Sequence, residues 1–332
     1  MKVLLYLEAE NYLRKSGIGR AIKHQEFALK YAGQDYTKNS DDNYDLIHIN
    51  TYGFNSWRLL KKSRRLGKKV IMHGHSTEED FRDSFIGSNF VAPLFKWYLC
   101  QFYKSSDAII TPTKYSKSLI QSYGIKVPIF ALSNGIDLDR YTYDQSKVDA
   151  FRKYFNLSST DKVVVSAGLY FMRKGIDEFV EVARRMPNVT FIWFGETNKY
   201  VIPSKVRAIV RKKHPKNVIF AGYIKGNVFE GAMSGSDAFF FPSREETEGI
   251  VVLEALASRQ NVLLRDIPVY NGWLDSTNCL FSSNVEGFVT SLKSILDGKV
   301  DKRQEGYRVA ESRDIRVIAS KLVSIYKKVM EL

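Results

Sequence analysis

Cysteine, long apolar runs and internal repeats are scarce or absent in this chain of 332 residues. Its two cysteines, Cys100 and Cys279, lie far apart without metal-type spacing, which argues against a disulfide framework and a zinc site and indicates a reducing cytoplasm. Charged residues interrupt every apolar stretch before it reaches the ~20 residues that cross a bilayer. The opening run 1–7 lacks a cleavage site of small residues, so we expect a first strand there and not a signal peptide.

What remains is the composition of a globular protein, with 44% hydrophobic and 26% charged residues. The chain is too long for one ordinary domain and comfortable for two. Short β-branched segments alternate with helical stretches, which is typical of parallel sheets buried on both faces. The predicted strands cover residues 3–7, 46–49, 70–72, 108–111 and 129–132 in the first half, and 163–167, 189–194, 218–221, 238–241 and 262–264 in the second.

The fold class that this rhythm predicts is α/β, with two Rossmann-like domains. We place the linker in the polar stretch 141–161, which gives domains 1–155 and 156–312. Apolar residues keep a helical spacing over 313–332, and we expect this last helix to pack back on the first domain. Ligands of open α/β sheets bind beyond the carboxyl ends of the strands, so the two domains are expected to face each other across a cleft.

The chain carries a formal net charge of +14, which attracts the phosphates of nucleic acid, anionic lipid or nucleotides. No recognised nucleic-acid motif accompanies the charge, so a nucleic-acid-binding protein is the alternative of another class and nucleic acid is not an expected partner. Seven basic residues crowd one short segment that contains no acid. They are Arg58, Lys61, Lys62, Arg64, Arg65, Lys68 and Lys69.

The strongest local signal is the segment 242–257, in which a polar loop follows a predicted strand and leads into a helix. Unpaired amides at a helix start, together with the positive end of its dipole, favour a phosphate. Glu246 stands in the loop and Glu254 lies further along the helix. For Glu245 and Glu248 we favour the simpler interpretation that they complement the helix dipole. The amides at the helix start are those of Gly249, Ile250 and Val251.

Seven residues separate Glu246 in the loop from Glu254 in the predicted helix. This spacing resembles the signature of the retaining glycosyltransferases of family 4. The resemblance covers essentially the whole chain, and it implies two Rossmann-like domains of the GT-B fold. In that family the first glutamate contacts the donor sugar near its reacting face and the second holds the ribose of the nucleotide. The resemblance therefore assigns these roles to Glu246 and Glu254. Thr247 departs from the glycine that usually follows the first glutamate.

The family also neutralises the donor diphosphate with an arginine and a lysine after the first strand of its second domain. Lys174 fits the lysine position, whereas Leu169 stands where the arginine is usual, so Arg173 is expected to substitute. The glycine-containing segment around Gly17 is weak by itself, and the resemblance makes Gly17 a neighbour of the donor phosphates. His75 corresponds to the histidine near the donor sugar and the reaction centre, and we assign it a catalytic role beside Glu246.

Asp137 and Asp139 imitate the metal-binding motif of another glycosyltransferase architecture, but they follow an Asn-Gly-Ile turn. We interpret them as turn residues. The resemblance then implies a metal-free reaction without a cofactor, in which Arg173, Lys174 and helix dipoles stabilise the departing diphosphate.

On the acceptor side, the run from His73 to Asn89 and the loop 168–175 resemble bacterial diacylglycerol glycosyltransferases, notably those that add galactose to glucosyl-diacylglycerol. This implies a hexosyltransferase that moves glucose or galactose from a UDP-sugar to a membrane glycolipid with an α-linked product. The basic segment 58–69 is expected to lie on the anionic inner face of the cell membrane, with Leu59, Leu60 and Leu66 at the interface. The apolar segment 85–98 either meets lipid or shapes the acceptor pocket, or it packs as an ordinary core helix. The alternative within the same enzyme class is a polysaccharide or other glycan acceptor.

Overall fold

A computed structural model describes residues 1–13 and 16–332 of the chain, which form two compact units. The first unit comprises residues 1–81, 90–136 and 313–332, and the second comprises 82–89 and 137–312. The described part of each unit contains one six-stranded parallel sheet with helices around it.

The sheet of the first unit has the strand order β2-β1-β3-β4-β5-β6. Its four inner strands carry almost only buried side chains, as expected for a parallel sheet covered on both faces. The strands are β1 (Val3–Tyr6), β2 (Tyr36–Thr37), β3 (Leu46–Ile49), β4 (Lys69–His73), β5 (Ala108–Thr111) and β6 (Ile129–Ala131).

Helices cover the first sheet with amphipathic faces of leucine, isoleucine and alanine. They are α1 (Glu10–Leu13), α2 (Gly17–Tyr31), α3 (Phe54–Arg65), α4 (Glu78–Phe81), α5 (Ser88–Lys104) and α6 (Lys114–Ser122), with the C-terminal helix Ile315–Met330, labelled α14. Buried side chains of α14 join those of β1 and α2 in one hydrophobic cluster.

The sheet of the second unit has the order β12-β11-β10-β7-β8-β9. Its strands are β7 (Val163–Ala167), β8 (Thr190–Phe194), β9 (Val218–Gly222), β10 (Ala238–Phe241), β11 (Val262–Arg265) and β12 (Leu280–Ser282). The helices around it are α7 (Gln145–Tyr154), α8 (Ile176–Arg184), α9 (Ser204–Arg211), α10 (Asn227–Gly235), α11 (Ile250–Ala257), α12 (Val285–Leu296) and α13 (Arg303–Glu311).

All ten strands predicted from the sequence are present, with ends that agree or differ by one residue. Two further strands, β2 and β12, were not predicted. Each lies at the edge of its sheet and has only two or three residues, which are mostly half-buried. Such short edge strands carry no continuous apolar run, which is the signal that identified the others.

The unit boundary lies earlier in the chain than the predicted linker implies. The prediction assigned residues up to 155 to the first domain, whereas α7 at Gln145–Tyr154 lies in the second unit. The reason is a tight helix pair: a Cβ added at Gly231 of α10 would lie 1.9 Å from the carbonyl oxygen of Lys147 in α7. Glycine lets the two backbones approach, and α7 is thereby fixed to the second unit.

We therefore expect Gly231→Ala to destabilise the second unit, because the added methyl group forces α7 and α10 apart. Overpacking of this kind costs about 1–3 kcal/mol. Urea unfolding measures the change, and Asn227→Ala, at an exposed position of the same helix, is the control, with an expected effect within about 0.5 kcal/mol. Equal stability of the two variants would contradict the close helix contact.

Candidate functional site

The site in the second unit forms where two neighbouring parallel strands end. Strands β7 and β10 pair directly, so the loops that follow them leave the same edge of the sheet. The backbone N–H of Arg244 in the second loop donates to the carbonyl of Arg173 in the first at 2.6 Å. Gly175 has a φ of +74°, and a Cβ there would lie 2.3 Å from the Pro242 carbonyl oxygen. Only glycine permits this approach of the two loops.

Between these loops lies a buried ion pair. The ammonium group of Lys174 contacts Oε1 of Glu246, and the hydroxyl of Ser243 donates to the same oxygen at 2.7 Å. The exposed fraction of the Glu246 side chain is 7% and that of Lys174 is 13%. The two residues that the sequence assigned to the donor sugar and the diphosphate are therefore direct neighbours.

Glu246 remains ionised in spite of its burial. Burial by itself raises the pKa of this carboxyl, but the positive charges of Lys174 and Arg173 and the hydrogen bonds from Lys174 and Ser243 outweigh it. The net result is a pKa below the ordinary value for glutamate. The loop thus holds a fixed negative charge directly beside a fixed positive one.

Arg173, which was expected to replace the missing arginine at Leu169, is oriented by protein groups. Its Nε donates to Ser84 Oγ at 2.8 Å and its Nη1 donates to the Glu245 carbonyl at 3.0 Å. Its charge still acts on Glu246, but its side chain is buried. Leu169 packs against the hydrophobic cluster of the second unit. A diphosphate contact by Arg173 stays a prediction, and the contacts described give the guanidinium a structural role as well.

The helix start that the sequence singled out is formed by α11. Gly249 adopts a left-handed conformation with φ of +84° and has no side chain with which to cap the helix. The amides of Ile250 and Val251 open the helix, where backbone donors and the positive dipole end favour an anion. Glu254 lies inside α11 with an exposed fraction of 1%.

The tyrosine Tyr270 was missed by the sequence analysis. Its hydroxyl is buried without a hydrogen-bond partner among the described residues, and it lies 3.7 Å from the position that a Cβ of Gly249 would take. Burial, followed by the negative charge of Glu246, raises the pKa of Tyr270 well above its ordinary value, so the hydroxyl stays protonated. Tyr270 comes from a short turn at 268–270, after the next strand and outside the motif, and no local pattern marks it.

The predicted site residues of the first unit lie after strands or at the start of a helix, as those of the second unit do. His75 lies two residues after the end of β4 and is 8% exposed. Its Nε2 lies 2.8 Å from Oδ1 of Asn50, which directly follows β3. The ring of His75 stacks on that of His73 at 3.9 Å between centroids. Gly17 begins α2, and a Cβ added there would meet no protein atom within 4 Å. The described structure therefore gives no packing reason for glycine at this position.

Three buried histidines share the first unit's site, and burial disfavours their charged forms. It lowers the pKa of His48 and of His75 to about 3, with the His48 charge adding to the effect on His75. It lowers the pKa of His73 well below the ordinary value, with His75 and His48 contributing further. All three rings are neutral near pH 7.

The basic segment lies mostly at the surface, and its contact with a membrane stays a prediction. Its five residues in α3 are exposed, whereas Lys68 and Lys69 are half-buried at the start of β4. The prediction that Leu59 and Leu60 meet the membrane interface is wrong, because both lie in the hydrophobic core of the first unit. Leu66 is 59% exposed. The five exposed residues are Arg58, Lys61, Lys62, Arg64 and Arg65.

Helix α5 carries the apolar segment for which two interpretations stood open. Its face toward the core holds Leu99, Phe102 and Tyr103. Its opposite face exposes large apolar side chains at helical spacing, at Phe90, Leu94 and Trp97, of which Phe90 is 92% exposed. The helix therefore packs on the core and presents an apolar surface at the same time.

Within residues 1–13 and 16–332, no helix is both long and apolar enough to cross a bilayer, and no three His, Cys, Asp or Glu side chains cluster as metal ligands would. Asp139 begins a single helical turn at 139–141.

Comparison with protein families gives two adjoining matches that cover nearly the whole chain. The family described as Glycosyltransferase Family 4 matches residues 12–140, and the family described as Glycosyl transferases group 1 matches residues 147–312. The second match contains Lys174, Glu246 and Glu254.

Two curated relatives are similar over most of their length. The processive diacylglycerol alpha-glucosyltransferase of Acholeplasma laidlawii is 48% identical over 335 residues, which cover 100% of this chain and 99% of the relative. The alpha-galactosylglucosyldiacylglycerol synthase of Streptococcus pneumoniae is 24% identical over 275 residues, which cover 80% of this chain and 72% of that protein.

Solved structures show the same fold at lower identity. The crystal structure of Anabaena Alr3699/HepE in complex with UDP-glucose has a TM-score of 0.75 and 16% identity, and the match covers 99% of this chain and all of that one. A glycosyltransferase from Rickettsia africae has a TM-score of 0.72 and 13% identity over 99% of this chain. At such identities the likeness shows the fold alone.

The neutral histidines predict how stability depends on pH. Their folded-state pKa values lie below the unfolded value of 6.5, so the unfolded chain binds more protons as the pH falls below 6.5. We expect the free energy of unfolding to be highest above that value and to decrease toward pH 3, by about 1 kcal/mol per pH unit for each histidine.

Urea unfolding at about pH 7, 6 and 5 measures this slope in a range where most carboxyl groups are still ionised. A free energy of unfolding that stays constant from about pH 7 to about pH 5 would contradict the buried, neutral state of the three rings.

Proposed function

The chain belongs to glycosyltransferase family 4, and on that premise we propose that it transfers glucose from UDP-glucose to diacylglycerol and then to the resulting glucosyl-diacylglycerol, with α-linked products. The observation that carries this proposal is the 48% identity to a processive diacylglycerol alpha-glucosyltransferase over the whole length of both chains. The more distant synthase of galactosylglucosyl lipid makes galactose the competing donor sugar.

The contacts of the second unit support a donor site built around Lys174 and Glu246. Ser243 and Lys174 hold the Glu246 carboxylate in one orientation, so it can accept hydrogen bonds from hydroxyls of the transferred sugar without reorganising. Glu254, which is buried further along α11, is assigned to the ribose. The α11 start, with its open amides, is assigned to the diphosphate.

In the proposed reaction the bond between C1 of glucose and the diphosphate oxygen breaks, and the diphosphate leaves with the electron pair. The acceptor hydroxyl forms its bond to C1 on the same face of the sugar, and its proton passes to the departing phosphate. Lys174 and the α11 amides stabilise the charge that develops on the diphosphate, so we propose that no metal ion takes part.

We further propose that the enzyme works at the inner face of the cell membrane as a peripheral protein. The exposed cations of α3 attract anionic headgroups, each contributing about 1 kcal/mol near the surface. The apolar face of α5, with Phe90, Leu94 and Trp97, provides area for contact with the acyl region. Both surfaces belong to the first unit, to which the acceptor is assigned.

Product formation tests the function directly. We expect the enzyme to convert UDP-glucose and vesicles of diacylglycerol with anionic phospholipid into monoglucosyl and then diglucosyl lipid with α anomers, measured by mass spectrometry and NMR, with a chelator present. Transfer from UDP-galactose alone would overturn the donor assignment. Transfer only to soluble glycans would overturn the lipid acceptor, and activity that requires added Mg²⁺ or Mn²⁺ would overturn the metal-free mechanism.

The role of Lys174 predicts a large effect of Lys174→Met. Removing one charge-stabilising donor costs about 10²- to 10³-fold in kcat. The variant also leaves a buried carboxylate without its partner, which costs about 3–5 kcal/mol of stability. The control is Lys199→Met, at an exposed position of the same unit, for which we expect unchanged kcat and stability.

A double variant separates the two effects of Lys174→Met. Lys174→Met combined with Glu246→Gln removes both charges, so we expect it to recover much of the stability lost in Lys174→Met while its kcat stays below that of Glu246→Gln alone. A double variant with the same kcat as Glu246→Gln would show that Lys174 acts only through folding and its contact with Glu246.

The membrane surface is tested by replacing four exposed cations of α3, Arg58, Lys61, Lys62 and Arg65, with glutamine. We expect affinity for anionic vesicles at low salt to fall at least tenfold in flotation or sedimentation. Four exposed cations of the second unit give a matched control with the same change in net charge: Lys205, Arg211, Lys212 and Lys213. An equal loss in both variants would mean that total charge, and not the α3 surface, determines binding.

A further inference from the structure

A buried chain of polar side chains lies behind His75 in the first unit. It runs from α14 through β3 and α2 to the loop after β4. The links are Tyr326 Oη to His48 Nδ1 at 2.7 Å, His48 Nε2 to His73 Nδ1 at 3.1 Å, Gln25 Nε2 to His73 Nδ1 at 3.1 Å, Gln25 Nε2 to Asn50 Oδ1 at 2.9 Å, and His75 Nε2 to Asn50 Oδ1 at 2.8 Å.

The orientation of the Asn50 amide fixes the proton of His75. Asn50 Nδ2 faces the carbonyl oxygen of His48 at 3.5 Å, which can only accept, and it donates to Gln25 Oε1 at 3.0 Å. Oδ1 of Asn50 is therefore the atom that faces His75. Because that oxygen can only accept, Nε2 of His75 must carry the hydrogen.

The remaining links agree with this assignment. Gln25 Nε2 donates to His73 Nδ1, so that nitrogen is an acceptor and the neutral ring carries its hydrogen on Nε2. His48 Nε2 faces the same acceptor and must donate to it, which leaves His48 Nδ1 to accept from the Tyr326 hydroxyl. All three histidines are thus assigned the same tautomer, and no link in the chain joins two donors or two acceptors. Two donors share the lone pair of His73 Nδ1, and the Nε2–H of His73 has no acceptor among the described residues.

A second proton on His75 is opposed by its surroundings. The ring stacks on His73 at 3.9 Å, which in turn stacks on His48 at 5.2 Å, and all three side chains are buried. The pKa of His75 is accordingly lowered to about 3, by burial first and then by the charge of His48. The neighbouring Tyr52 is neutral and uses its hydroxyl to donate to the carbonyl of His73 at 2.7 Å. No acid in the described contacts compensates a positive ring.

We infer that Asn50 and Gln25 are positioning residues that hold His75 as the neutral tautomer with its hydrogen on Nε2, so that Nδ1 offers a lone pair to a substrate hydroxyl. Within the described residues Nδ1 has no hydrogen-bond partner, and it is not among the fully buried atoms that lack one. His75 then acts as a hydrogen-bond acceptor and not as a general acid. The contact of Nδ1 with a substrate hydroxyl rests on the proposed function, whereas the assigned tautomer does not.

The tautomer is measurable in the wild-type protein by NMR of ¹⁵N-labelled histidine, since the chain has only five histidines. We expect the protonated nitrogen of His75 to be Nε2 at neutral pH, with His75→Gln identifying its signals. His24 is an internal contrast, because its Nδ1 lies 2.9 Å from the Gly135 carbonyl and must donate. A hydrogen on Nδ1 of His75, an equal mixture of tautomers, or a charged ring at pH 7 would overturn the inference.

Asn50→Asp tests the positioning residue itself. A carboxylate in place of the amide oxygen favours the imidazolium, so we expect the NMR titration midpoint of His75 to rise by about 1–3 pH units. Activity should then fall below the new midpoint, as the Nδ1 lone pair is lost. Asn43→Asp, an exposed position of the same unit, is the control and should leave the midpoint unchanged. A folded Asn50→Asp protein with an unchanged midpoint would refute the role of Asn50, and if this variant does not fold, the wild-type spectrum alone decides.

Different results would refute the proposed function and the positioning network of His75. Absent sugar transfer with the predicted tautomer intact would refute the function and leave the positioning network standing. An active enzyme with the other His75 tautomer would refute the network and leave the function standing.

Discussion

The buried ion pair between Lys174 and Glu246 is the interaction on which the proposed donor site depends. A carboxylate that is 7% exposed is stable as an anion only because a cation and a hydroxyl contact it directly. That contact in turn requires the loops after β7 and β10 to meet, which Gly175 permits and the Arg244–Arg173 backbone hydrogen bond maintains. Backbone conformation, packing and charge together therefore determine where the Glu246 carboxylate lies.

In the first unit, neutral hydrogen bonds and not an ion pair hold the polar residues at the strand ends. Its polar residues at the strand ends form a neutral hydrogen-bonded chain, in which amide groups and a tyrosine determine which nitrogen of each histidine carries a hydrogen. A buried polar network is stabilised when its donors face acceptors, and residues as distant in sequence as Gln25 and Tyr326 supply these contacts. We propose that Lys174 acts on the leaving diphosphate, that Glu246 contacts the transferred sugar, and that the neutral histidine orients a hydroxyl.

The sequence predicted the architecture well because parallel strands buried on both faces give continuous β-branched runs, and the family and the GT-B fold are confirmed. It missed β2 and β12, whose short, half-exposed segments lack that signal. Leu59 and Leu60 looked like interfacial residues beside so many cations, yet helical periodicity turns them to the core. The partners Ser84, Asn50 and Tyr270 were beyond prediction, because tertiary folding alone brings them to the site.

The central claim is that Glu246 is an ionised, lysine-paired carboxylate that binds the transferred sugar and not the nucleotide. Calorimetric titration of wild type and Glu246→Gln with UDP and with UDP-glucose tests it most directly. The account predicts that Glu246→Gln binds UDP at least as tightly as wild type, because Lys174 is released from its partner, while the additional affinity of UDP-glucose over UDP disappears. An equal loss of affinity for both ligands, or no change for either, would contradict it.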